Sequence, residues 1–196
     1  VFSGVGKSSA EIERALSAGV RLLSIESEEE LERVNAVALS ANTTAPVAFR
    51  INPDVDPKTH PYIATGLRQN KFGVPAAEAL ALYRKADAMQ GIEVMGIGCH
   101  IGSQLTEIAP FCDALEKVLD LVEVLGKNGI ALQHLDLGGG VGIRYCDESP
   151  PDPADYVQAM LEILKRRGCD LDVTLEPGRA IAGNAGILLT RVEYIK

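Results

Sequence analysis

In Val94-Met95-Gly96-Ile97-Gly98-Cys99-His100-Ile101-Gly102-Ser103-Gln104, an apolar run of strand length passes straight into a polar, glycine-containing turn. Phe111, Leu115, Val118, Val122 and Leu125 follow at helical spacing and stop near Gly129, after which residues 132–137 form a second apolar run ending on Gly138-Gly139-Gly140. Strand, turn, helix and strand make a βαβ unit, whose two strands run parallel. The pattern extends in both directions. Residues 21–25, 47–51 and 171–175 read as further buried strands, and Val1-Phe2 as the tail of another, since it runs into Ser3-Gly4-Val5-Gly6 and then a helix. Ser8 and Ser27 each stand three residues before a glutamate, Glu11 and Glu30, which is capping-box spacing. Behind these caps, Ile12, Ala15 and Leu16 share one helix face ending at Gly19, and Leu31, Val34 and Ala38 share another. Pro75 suits the first position of a helix over residues 76–88, and residues 156–167 give a fifth helix.

This alternation predicts an α/β fold, either an open doubly wound sheet or part of a (β/α)8 barrel of the TIM type. Periodicity does not choose between them. Residues 186–196 are β-rich (Ile187, Leu188, Leu189, Thr190, Val192, Tyr194, Ile195), break the alternation, and read as the opening of a second domain.

The chain has 196 residues, 46% apolar and 23% charged, enough for a packed core. Its 27 acidic residues outnumber 19 Lys and Arg, and a net charge of −8 is the wrong sign for gripping nucleic acid. No apolar run approaches the roughly 20 residues that cross a bilayer, and no signal peptide is visible, so a soluble cytoplasmic protein is expected. Cys99, Cys112, Cys146 and Cys169 lack metal-ligand spacing; they are expected to be reduced thiols, with no metal site.

Two phosphate motifs fail on inspection. Gly6-Lys7-Ser8 lacks the glycine five positions earlier that a P-loop needs, because position 1 is Val, and Gly138-Gly139-Gly140-Val141-Gly142 lacks the last glycine of a dinucleotide fingerprint, because position 143 is Ile. What remains is a glycine triplet after a buried strand, equally readable as a tight turn or as a backbone nest for an anion. His100 stands at another strand end, where an imidazole serves either as a structural hydrogen-bonder or as a flat face for an aromatic ring, with Ser103 available to a phosphate. Glu176-Pro177-Gly178-Arg179 closes a third strand and fixes a carboxylate and a guanidinium on a stiff turn. Arg50, inside Val47-Ala48-Phe49-Arg50-Ile51, is costly in a buried strand unless paired or in contact with a ligand. All four features fall at the same ends of different strands. They are able to converge on one anionic, aromatic ligand.

Five segments in order, residues 50–63, Asn70-Lys71-Phe72-Gly73, His100-Ile101-Gly102-Ser103-Gln104, Asp136-Leu137-Gly138-Gly139-Gly140 and Glu176-Pro177-Gly178-Arg179, resemble the diaminopimelate decarboxylase family of fold-type III pyridoxal phosphate enzymes. The stretch from Asp54 to Ile63 points to the diaminopimelate branch rather than to ornithine or arginine decarboxylases. The resemblance implies residues 1–185 as a partial pyridoxal phosphate-binding barrel, about strands three to eight, and residues 186–196 as the beginning of a C-terminal β-rich domain. It implies His100 stacked on the cofactor ring, Ser103 with Gly138, Gly139 and Gly140 on the phosphate, and Glu176 at the pyridine nitrogen. Gly178 and Arg179 would line the site, Arg179 also reaching substrate, and Arg50 would lie near the ring hydroxyl. The activity implied is decarboxylation of meso-2,6-diaminopimelate to L-lysine and CO2, in a homodimer. The alternatives are a decarboxylase of another basic amino acid, or a non-catalytic relative that binds or regulates.

The family's Schiff-base lysine lies in a first-strand segment that has no counterpart here, so none of this chain's lysines is assigned as catalytic. The chain is accordingly expected to be a fragment, inactive by itself.

Overall fold

The computed structural model describes residues 1–55 and 72–195. Residues 56–71, which include most of the segment pointing to the diaminopimelate branch, lie outside the described residues. Helix α1 (Ser9–Ser17) begins with the full capping box: the Ser8 hydroxyl accepts from the Glu11 amide and the Glu11 carboxylate accepts from the Ser8 amide at 2.8 Å. Strand β1 (Leu23–Ile25) follows, then α2 (Glu28–Ser40), where only half of the expected box forms. Ser27 caps the Glu30 amide at 3.2 Å, but the Glu30 carboxylate turns inward to Lys7 and the Glu26 amide. A buried ammonium is the stronger partner for a carboxylate than an exposed cap amide.

Strand β2 (Ala45–Asn52) is followed by the two-residue β3 (Val74–Pro75) and helix α3 (Ala76–Asp87). Pro75 is the residue before the first helical turn, one position earlier than expected. Strand β4 (Ile92–Gly98), helix α4 (Ala109–Lys127), strand β5 (His134–Asp136) and helix α5 (Pro153–Arg167) continue the alternation. Helix α5 is capped by Asp152 and ends on Gly168 in the left-handed conformation, φ 60°. Strand β6 (Asp172–Thr174) completes the sheet, and a short helix, α6 (Gly178–Ala182), stands where sequence suggested only a Pro-Gly turn.

The strands pair in the order β1-β2-β4-β5-β6, all parallel, with β3 attached to β2 and Phe2 bridged to Leu23. Each strand of that path lies beside the next in sequence. A doubly wound sheet reverses order at a switch point, so the open-sheet alternative is excluded and the chain forms an arc of a barrel. The arc bends far enough for its edges to meet: the Ser3 hydroxyl lies 3.4 Å from Glu176 Oε1, and Arg21 pairs with Asp172 at 2.6 Å.

Helices pack outside. Phe49 and Tyr83 meet edge to face at 4.6 Å, and the Tyr83 hydroxyl donates to the Gly96 carbonyl at 2.8 Å, locking α3 onto the sheet. Phe111 and Tyr156 do the same between α4 and α5, at 4.8 Å. Gly96 and Gly98 are required by closeness, since a Cβ on Gly96 would stand 2.7 Å from the His134 carbonyl oxygen. No described helix is long and apolar enough to cross a membrane.

Residues 184–195 carry no strand among the described residues, and Ile187, Leu188 and Leu189 are at least 90% exposed. The β-forming composition of residues 186–195 meets no neighbouring strand here, and an extended segment without a partner gains no ladder hydrogen bonds.

Candidate active site

Strand periodicity determines which side chains meet. Ser24, Ala48, Arg50, Gly98 and Asp136 come from β1, β2, β4 and β5 and all face the inside of the arc, where with Ser3, Cys99, His100 and Glu176 they line a cavity of about 310 Å3. The cavity opens at the C-terminal ends of the strands, where barrels carry their chemistry. Three predicted residues, Arg50, His100 and Glu176, thus share one chamber.

The glycine triplet sits against it. The Gly139 amide donates to His100 Nδ1 at 3.2 Å, the Gly138 amide to Asp136 Oδ1 at 2.8 Å, and the Gly138 carbonyl accepts from the Glu176 amide at 2.7 Å. A methyl on Gly139 would fall on the Glu176 carbonyl oxygen, one on Gly140 on that of Gly102, and one on Gly138 would stand 2.5 Å from that of Cys99. Gly138 and Gly140 also have positive φ, 64° and 112°. Three chain segments therefore converge with no Cβ between them.

Because Nδ1 accepts a hydrogen bond, the His100 proton belongs on Nε2. Burial, with the Arg50 charge adding to it, pushes His100 down to about 4, so its ring is neutral near pH 7. Burial raises Asp136 to about 6, against the lowering effect of the Gly138 amide, with the nearby Glu176 charge adding to the rise. The buried Cys99 thiol is pushed up to about 12 and is inert as a nucleophile. Arg50 is paired, its guanidinium meeting Glu26 at 3.0 Å, and the residue lines the cavity.

Ser103, Gly138, Gly139, Gly140, Gly178 and Arg179 do not line this chamber. Arg179 donates to Gln104 Oε1 at 3.2 Å, and Gln104 accepts the Ile143 amide at 3.1 Å and donates to the Ile143 carbonyl at 2.5 Å. Gln104 thereby ties Arg179 to the chain just past the glycine turn, and the Leu105 amide bonds the Gly140 carbonyl at 2.9 Å.

Asp136, Glu26 and Gln104 were not picked out as site residues by sequence reading. Asp136 stood inside a quoted motif, where its position before three glycines was the available signal. Glu26 was hidden in an acidic run.

Among the described residues no lysine lines the cavity. Lys7 is buried, and its ammonium is held by the Gly4 carbonyl at 2.7 Å, the Ser24 carbonyl at 2.6 Å and Glu30 at 2.9 Å.

The chain is 55% identical over all its 196 residues to diaminopimelate decarboxylase of Pseudomonas aeruginosa and 53% identical to that of Vibrio cholerae, covering 47% of each. It therefore spans about half the length of the curated relatives it matches. The crystal structure of diaminopimelate decarboxylase from Helicobacter pylori complexed with L-lysine superposes with a TM-score of 0.87 at 43% identity, over 92% of this chain and 45% of that one. A lysine decarboxylase from Selenomonas ruminantium is more distant, 27% identical with a TM-score of 0.78, over 91% of this chain and 44% of that one. Residues 1–183 match the family described as pyridoxal-dependent decarboxylase, pyridoxal binding domain, and the chain belongs to that family.

Proposed function

We propose that this chain is the cofactor-binding part of a pyridoxal phosphate-dependent diaminopimelate decarboxylase, which converts meso-2,6-diaminopimelate to L-lysine and CO2. The observation that carries the reading is the convergence of Arg50, His100 and Glu176 on one cavity, with a turn of three close-packed glycines hydrogen-bonded to His100, Asp136 and Glu176 of its lining. The donor set fits the group. A chamber of about 310 Å3 is at the size of a small-ligand site, and it offers a flat neutral imidazole, a carboxylate and a guanidinium.

Bound pyridoxal phosphate supplies an electron sink for the carbanion left when CO2 departs. The chain's residues hold that sink in place and keep it protonated. The Glu176 carboxylate keeps a proton on the ring nitrogen. His100 offers its ring face, which its bond from the Gly139 amide holds in orientation. The Ser103 hydroxyl and the Gly140 amide would donate to the phosphate, the Gly138 and Gly139 amides being engaged by Asp136 and His100. Arg50 meets the ring's oxygen substituent. Gly178 and Arg179, outside the chamber, would stand on the substrate side, Arg179 being held by Gln104. Residues that held the ring in one orientation would lower the barrier by positioning the substrate for the loss of CO2.

The lysine that carries the cofactor, most of the β-rich domain and the partner of a homodimer lie in this reading outside the chain, with residues 186–196 opening that domain. The test is steady-state turnover of meso-diaminopimelate, lysine, ornithine and arginine by the full-length protein. Diaminopimelate is expected to be consumed at least 100-fold more efficiently, as roughly expected where a pocket hydrogen-bonds a substrate group that its analogues lack. A preference for another substrate, or no turnover of any, contradicts the proposal.

A further inference from the structure

Beyond the cavity wall, the structure contains a chain of buried charges that the cofactor reading does not use. Glu26 follows β1 directly and is 8% exposed. The β1–β2 register matches Ile25 with Phe49, so Glu26 and Arg50 are the next pair across the two strands. Both Glu26 oxygens are engaged: Oε1 accepts from Arg50 at 3.0 Å and Oε2 from the Gly73 amide at 3.3 Å. Its own amide donates to Glu30 Oε2 at 2.7 Å, and Glu30 Oε1 accepts from Lys7 at 2.9 Å. Two cations, Lys7 and Arg50, thus flank two anions, Glu30 and Glu26, which are joined through the Glu26 amide, in a chain from the entrance of α1 to the cavity with no net formal charge.

Such an arrangement is a poor way to gain stability, because desolvating charges offsets their attraction. It is a good way to fix a geometry. The Arg50 side chain has Glu26 on one side and the Phe72 ring at 5.0 Å on another, and the residue lines the cavity. Gly73 is drawn against the same arginine: its φ is 72°, and a Cβ there would stand 2.8 Å from the Arg50 carbonyl oxygen.

We propose that Glu26 is a positioning residue, which aims Arg50 into the cofactor cavity and fastens Gly73 to it while being held in turn by Glu30 and Lys7. The proposal rests on reading the cavity as the pyridoxal phosphate site. Glu26 acts through Arg50 and touches no reacting atom.

The experiment is equilibrium binding of pyridoxal phosphate, read by fluorescence quenching, to the full-length wild type, E26A, R50A and E26A/R50A, with melting curves of the cofactor-free proteins alongside. E26A and R50A are each expected to weaken binding about tenfold or more, and the double variant to bind no more than about twofold worse than R50A, because coupled residues are non-additive. Where E26A does not fold, E26Q, which keeps one carbonyl acceptor in place, carries the same comparison. Multiplying losses in the double variant, or wild-type affinity in E26A or R50A, overturn the inference while leaving the cofactor site standing. A wild type that does not bind pyridoxal phosphate overturns both.

Discussion

The two ends of the sheet use the same side chains to opposite effect. At the N-terminal ends, Arg21 pairs with Asp172 at 2.6 Å beside His134; at the C-terminal ends, Arg50 pairs with Glu26 at 3.0 Å near His100. The lower pair has side-chain exposures of 66% and 70%, the upper pair 17% and 5%. In water the lower pair is screened and weak. In the interior the upper pair is costly to break and rigid. The backbone differs as well: His100 accepts an amide from a turn of glycines, whereas His134 Nδ1 stands 3.4 Å from the flexible Arg21 guanidinium. Residue type therefore says little here: the arginine–carboxylate pair is buried at one end and exposed at the other, and one histidine alone sits on a glycine turn.

That contrast is open to direct attack by substitution in the full-length protein. The largest effect is expected at Glu176: Glu176→Ala lowers turnover about 100-fold or more, while cofactor affinity falls far less, because the phosphate donors are untouched. Full activity in that variant refutes the ring-nitrogen role. Next comes the charge chain. Lys7→Met leaves Glu30 buried without its cation and is expected to cost about 3 kcal/mol in denaturant unfolding, whereas Arg21→Ala at the opposite end is expected to cost under about 1 kcal/mol. Equal costs would erase the distinction between the ends.

Gly139→Ala drives a methyl into the Glu176 carbonyl and is expected to cost about 1–3 kcal/mol and to weaken cofactor binding. Gly126→Ala near the end of α4 meets no atom within 4 Å and is expected to stabilise by about 0.5–1 kcal/mol. The contrast also has a pH dependence. His100 is lowered from 6.5 to about 4, so its contribution is present above pH 6.5 and is lost as pH falls towards 4. Asp136 runs the other way: raised from 3.8 to about 6, it contributes fully below 3.8 and its contribution fades as pH rises through 6. His100→Phe is therefore expected to lose less stability than wild type between pH 6.5 and 4, measured by unfolding midpoints; parallel curves would contradict the buried neutral imidazole.

Local signals were legible and long-range ones were not. Ser8 and Glu11 announce the start of α1 because the cap is a three-residue interaction, and α4 is visible in its own stripe. The choice between barrel and open sheet depends on strand order, which no local period encodes. Helix α6 hid behind Pro177-Gly178, whose composition reads as a turn. Glu30 has capping-box spacing but serves Lys7 instead, a partner 23 residues away. Glu26 stands in Glu26-Ser27-Glu28-Glu29-Glu30, which reads as a solvated acidic run; the strand's last turn inward buries only its ends. Arg50 stands out as a charge inside an apolar strand, whereas its partner Glu26 carries no local signal, and Asp136 and Gln104 are inconspicuous within their glycine-containing segments.

The central claim is that this chain holds pyridoxal phosphate for a lysine supplied from elsewhere in the same polypeptide. The direct test is borohydride reduction of the full-length protein with pyridoxal phosphate, followed by intact mass and peptide mapping. One pyridoxyl-lysine outside residues 1–196 is predicted, with Lys7 unmodified behind Glu30, Gly4 and Ser24. An adduct on Lys7 or on another lysine of this chain, or no site-specific adduct at all, would contradict the account.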